Sequence, residues 1–138
     1  MKMMQTRIFK TIAVFELLTG IGLILFWIGF FTIGLAPENP PPCYFAYEHS
    51  FPLPDIILAI VILASGMLLL KNKDLGIFLS LVSSGGLIFL GLLDFSFNIQ
   101  NGIYSASVLD LVLNAFINIW CVGFGAVIAV FLCRKSFL

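Results

Sequence analysis

Four apolar runs, at residues 11–35, 53–70, 75–93 and 108–132, take up most of this chain and leave it little choice of fold. A helix rises about 1.5 Å per residue, so about 20 apolar residues cross the hydrocarbon core of a bilayer. All four runs meet or approach that length. The second and third are joined only by KNKD at 71–74, which is long enough for a tight turn and nothing more. The expectation is an all-α, four-helix transmembrane bundle in one membrane domain, 1–138, whose second and third helices form a tight hairpin.

Composition supports lipid as the solvent. Of the 138 residues, 61% are hydrophobic and 10% charged, against roughly 45–50% and about 25% in soluble domains. A chain this short cannot hide so much apolar surface from water. The formal net charge is zero, which gives no reason to expect a nucleic-acid partner. Cys43, Cys121 and Cys133 lie in three separate regions without CxxC or metal-ligand spacing. They read as free thiols, with an intermolecular bridge through Cys43 as the exception.

The basic residues set an orientation. Lys2, Arg7 and Lys10 precede the first span, Lys71 and Lys73 sit in the tight turn, and Arg134 and Lys135 follow the last. All seven fall on one side, which the positive-inside rule makes cytoplasmic. The expected location is therefore the cell membrane, multi-pass, with both termini cytoplasmic. The outer loops are then 36–52 and 94–106. A cleaved signal is disfavoured: Glu16 interrupts the first run, the run exceeds a signal's apolar core, and Pro37 would follow the cut. Small residues at Thr19, Gly20, Gly22, Ser65, Gly66 and 83–86 predict close helix packing.

Polar residues inside this apolar frame carry the functional reading. Glu38, Glu48, Asp55, Asp94 and Asp110 fall at or near the outer side, where the chain has no Lys or Arg and one histidine, His49. Asp55 follows Pro52 and Pro54 in the first turn of the second span, where the helix dipole favours a carboxylate. Ser107 and Asp110 have capping-box spacing. Glu38 lies in the solvated segment PENPPP. Asp94 is expected at the C-terminus of the third span, where the dipole repels it; it needs either a short following helix at 95–100 to cap or a partner such as Glu48–His49. Tyr44, Phe45, Tyr47 and Phe51 would anchor the first outer loop at headgroup level.

In the fourth span Asp110, Asn114 and Asn118 recur at i, i+4 and i+8, a polar stripe reaching about 15 Å inward and continued by Cys121. Such a stripe serves either interhelical hydrogen bonding or a wet cavity. Glu16 stands apart, about 8–9 Å in from Lys10, and is a proton-relay candidate. The ligand-binding candidates are thus Glu48, His49, Asp55, Asp94, Asp110, Asn114 and Asn118, with Glu48, His49 and Asp94 as the metal alternative.

Two stretches, YEHSFPLPD (47–55) and LIFLGLLDFSFNIQNGIY (87–104), resemble motifs of a group of small uncharacterised bacterial four-helix integral membrane proteins. The layout is similar to that of the broad DoxX-like class. The resemblance implies topology and supplies no catalytic residue.

Three functional classes follow. The first is a polar, acidic pocket open to the non-cytoplasmic side, binding or transporting a lipid, an amphiphile or a cation between walls rich in the chain's fifteen phenylalanines. The second is an intramembrane enzyme using His49 and the outer carboxylates, although one histidine is thin for zinc and no HExxH motif occurs. The third is an accessory subunit of a larger membrane complex, or a homo-oligomer, with its polar stripe buried against the partner. Membrane lipids are partners in all three, no catalytic residue is singled out, and no cofactor is identifiable.

Overall fold

The computed structural model describes residues 2–137, with side chains over 7–134; the side chains of Lys2 and Lys135, counted above among the basic residues, lie outside it. The chain is helical, with no strand among the described residues. Helix α1 is Lys2–Thr32, α2 is Tyr44–Glu48, α3 is Pro52–Leu70, α4 is Asp74–Gln100 and α5 is Val108–Phe137, with a short 3-10 turn at Ile103–Ser105 before α5. Four stretches, within α1, from α2 through α3, in α4 and in α5, are long and apolar enough to cross a membrane. The 19 residues of α3 span about 28 Å, close to the hydrocarbon thickness.

The helices pack in chain order, α1 on α3, α3 on α4 and α4 on α5. Glycines mark each contact and fix its direction. A Cβ on Gly20 would meet Leu63 and the Ala59 carbonyl, whereas one on Gly66 would lie 2.9 Å from the carbonyl of Ala13. Rising numbers in α1 thus meet falling numbers in α3. Gly76 and Gly86 give the same antiparallel relation to Leu68 and Leu58, and Gly91 and Gly125 to Asn118 and Ser84. The α1–α5 seam is closed by side chains: Phe15 lies 5.6 Å from Trp120 and 6.1 Å from Phe124 between ring centroids, and Trp120 Nε1 donates to Thr19 Oγ1 at 3.0 Å. The result is an up-down-up-down bundle.

Its polarity is inverted relative to a water-soluble bundle. Phe89, Phe116 and Leu18 are 68%, 65% and 57% exposed, while Glu16, Ser65, Ser80 and Ser83 are fully buried. Lipid tolerates the first group and would penalise the second, so the polar groups turn inward. Ile62, Leu87, Cys121 and Ile128 fill the interior between them.

Three boundaries differ from expectation. α1 stops at Thr32 rather than 35, because Gly34 takes φ +78° and its N–H closes on the Gly29 carbonyl at 3.2 Å. The first outer loop contains a helical turn, α2. The largest difference is α4, which runs without a break past 93 to Gln100. Asp94 therefore lies inside the helix, not at its end, and caps nothing. Serines 83 and 84 bond back to the carbonyls of Leu79 and Leu81 within an unbroken α4. The tight turn forms as expected, with Asn72 at φ 54° between α3 and α4.

Candidate functional site

At the end of the bundle opposite the α3–α4 turn, the loop between α1 and α3 folds back over the helix ends. α2 lies there as a lid. Its Tyr47 ring stacks on Phe97 of α4, with centroids 3.7 Å apart and planes 1° apart, and also contacts Phe51. Tyr44 is buried beside Trp27, Phe30 and Ile103. The lid is held by aromatic burial.

Two carboxyls lie beneath it, those of Asp55 and Asp94, with that of Glu48 at its own end. Asp55, in the first turn of α3 after Pro52 and Pro54, is buried and receives Trp27 Nε1 from α1 at 2.9 Å. Asp94 receives the Tyr47 hydroxyl at 2.7 Å. Glu48, the last residue of α2, lies within the electrostatic reach of both Asp94 and Asp55. The field of the two aspartates also reaches Cys121 on α5. All seven Lys and Arg of the sequence lie at the other end or in the turn there. Carboxylates held this close repel one another, and among the described residues no Lys or Arg lies beside them.

The remaining residues of the expected set are placed elsewhere. His49 does not face the acids: its ring stacks on Phe31 at 5.9 Å and 21°, with Phe30 and Phe45 nearby. The partner expected for Asp94 in Glu48–His49 is instead Tyr47, because α2 turns its tyrosine inward. Asp110 closes its own capping box, its N–H bonded to Ser107 Oγ at 3.0 Å and its carboxylate to the Ser107 hydroxyl at 2.7 Å. Asn114 bonds back to the Asp110 carbonyl at 2.8 Å. Asn118 is buried and donates to the Tyr104 hydroxyl at 2.7 Å; with Cys121 it packs on Gly91 of α4. The lower stripe of α5 therefore lies against α4 within the same chain. Glu38 is exposed.

No group of three or more His, Cys, Asp or Glu side chains among the described residues is arranged to hold a metal ion. The cysteines are free thiols, with Cys43 exposed and 3.4 Å from Asn101 Oδ1. The mouth is filled by the lid's own rings. A cavity of about 30 Å³, room for about one water, lies at the opposite end among Phe9, Leu69, Asn72, Lys73, Asp74 and Ile77.

Sequence reasoning missed four hydrogen bonds: those that Trp27, Tyr47 and Trp120 donate to Asp55, Asp94 and Thr19, and the one that Tyr104 accepts from Asn118. One signal was available. A buried indole or phenol needs an acceptor, and Trp27 lies near the outer end of the first span, at the level where the second begins with Asp55.

No curated protein and no solved structure matches this chain. A family model does, over residues 4–104, from α1 through the 3-10 turn and so across the lid and its three carboxyls. By that match the chain belongs to the family described as a domain of unknown function, DUF8058.

Proposed function

We propose that this small polytopic membrane protein binds, at its lidded acidic mouth, the cationic head group of an amphiphile presented from the non-cytoplasmic side. The observation that carries this reading is the gathering of Asp55 and Asp94 beneath α2 with Glu48 at its end, in a chain whose basic residues all lie toward the other end. A bound ammonium group would relieve the repulsion among the acids. The phenylalanines around the mouth, Phe30, Phe31, Phe51 and Phe97, suit an apolar body and cation–π contact. The positive-inside rule supplies the sidedness.

The test uses decyltrimethylammonium below its micellar concentration, with decanol as the uncharged control, and follows thermal unfolding of the detergent-solubilised protein. The ammonium should raise the midpoint saturably and decanol should not. Asp94→Asn should raise the half-saturating concentration about tenfold, equivalent to about 1.4 kcal/mol. Identical responses from wild type and Asp94→Asn, or none from either, would overturn the proposal.

A further inference from the structure

Among the described residues Glu16 is the one charged side chain with no exposure at all, and it lies away from the acidic mouth. Nine residues beyond Arg7 on α1, it is about 13 Å along the helix axis from that residue. Its carboxyl faces the hydroxyls of Ser65 on α3 and Ser80 on α4, both of them fully buried. Yet Oε1 and Oε2 have no hydrogen-bond partner. The reason lies in the serines. Each hydroxyl has one hydrogen and two lone pairs, and each hydrogen is already committed to its own helix: Ser65 to the Ile62 carbonyl at 2.7 Å, Ser80 to the Gly76 carbonyl at 2.8 Å. What these hydroxyls can offer Glu16 is lone pairs.

With both serines bonded to their own helices, the interior holds four oxygens, two from a carboxyl and two from hydroxyls, and none of the four receives a donor. Such a set repels an anion and leaves a hydrogen-bond acceptor nothing to bind. It suits a cation. The packing limits its size. On either side of Glu16 the backbones of α1 and α3 approach closely: a Cβ on Gly66 would be 2.9 Å from the Ala13 carbonyl, and one on Gly20 would be 3.2 Å from the Ala59 carbonyl. There is no room for an organic body. Four oxygens and one carboxyl are too few for calcium, which takes six to eight oxygen ligands, and magnesium keeps its waters. We propose that Glu16, Ser65 and Ser80 form a buried site for a small monovalent cation, a sodium ion or a proton, independent of the outer acidic mouth.

Few ionisable groups lie close to Glu16. From α3 the facing residue is Ser65; the ionisable Asp55 is ten residues, about 15 Å, further along. From α4 it is Ser80, with Asp74 six residues, about 9 Å, toward the hairpin and Asp94 far beyond. On α5 the buried titratable group is Cys121, and the charges whose field reaches it are Asp94 and Asp55. On α1 itself Arg7 and Lys10 are exposed near the helix start. A reporter is built in, because Trp120 donates to Thr19, one helical turn from Glu16.

The experiment follows Trp120 fluorescence of the full chain in a Trp27→Phe background and the thermal midpoint of the wild-type chain. Sodium is titrated against potassium at fixed pH, and pH is then varied from 5 to 9 at fixed sodium. A sodium site gives a saturable response that potassium does not reproduce. A proton site gives a pH response indifferent to sodium. In either case Glu16→Gln should abolish the response, Ser65→Ala and Ser80→Ala should each shift its midpoint at least about fivefold, and Asp94→Asn should leave it in place. Retention of the full response in Glu16→Gln, or in both serine variants, or its absence from the background protein, overturns the proposal. The two tests are read on different variants, this one on Glu16→Gln and the serine substitutions with the local Trp120 signal, the outer mouth's on Asp94.

Discussion

Removing one oxygen from Tyr47 should loosen the lid without disturbing its packing. Tyr47→Phe deletes the 2.7 Å hydrogen bond to Asp94 and keeps the ring that stacks on Phe97 at 3.7 Å. A hydrogen bond to a charged group contributes about 1.5–3 kcal/mol in water-soluble proteins, whereas interhelical bonds inside membranes average about 0.6 with a maximum near 1.7. The lid lies at the boundary between the two environments, so the expected cost is about 1–2 kcal/mol. That is about a 5- to 30-fold increase in the open fraction of α2. The amides to watch are those of Tyr47 and His49, which donate to the Cys43 and Phe45 carbonyls at 3.0 Å each. Their hydrogen exchange should accelerate by that factor, while amides of the α4 interior stay unchanged. In an Asp94→Asn background the same substitution should have less effect, since the two residues share one interaction. Unaltered exchange in α2, or simple additivity of the two substitutions, would refute the idea that this bond closes the mouth.

Three further outcomes are expected. Trp27→Phe should destabilise the bundle by about 1–3 kcal/mol in equilibrium unfolding with SDS, because it strands the buried Asp55 that the indole holds at 2.9 Å; an Asp55→Asn background should absorb part of that loss. Gly125→Ala should destabilise by about 1–2 kcal/mol, its new Cβ being 2.8 Å from Ile88 and 2.9 Å from the Ser84 carbonyl, whereas Gly123→Ala meets nothing within 4 Å and should gain up to about 1 kcal/mol in helix propensity; the same measurement reads both, and equal signs would contradict the packing. A membrane-impermeant maleimide added from the non-cytoplasmic side should label the exposed Cys43 and spare the buried Cys121; labelling of Cys43 only from the cytoplasmic side would reverse the orientation.

The class of fold, the four spans and the α3–α4 turn were legible in the sequence because lipid is an undemanding solvent to predict for. Length and apolarity suffice when each helix satisfies its own backbone. Local chemistry was legible for the same kind of reason. Pro52, Pro54 and Asp55 start α3, and Ser107 caps α5 through Asp110, because these interactions close within a few residues. The continuation of α4 through Asp94 was not legible. The DFSFNIQ segment reads as a break in hydropathy, but the helix is carried past it by Phe97, which packs beneath Tyr47 from a loop some fifty residues earlier.

The sequence by itself determined that the chain would bury polar groups and expose apolar ones, and that five of its seven acids would gather at the end opposite its bases. It could not determine which donor meets which acid. Asp94 finds Tyr47 rather than His49, and Asp55 finds Trp27, because helix rotation and the fold of α2 decide those pairings over 47 and 28 residues of chain. Nor could it place two serine hydroxyls, already bonded to their own helices, against Glu16. That encounter depends on three helices meeting at one depth, which only the packed bundle specifies.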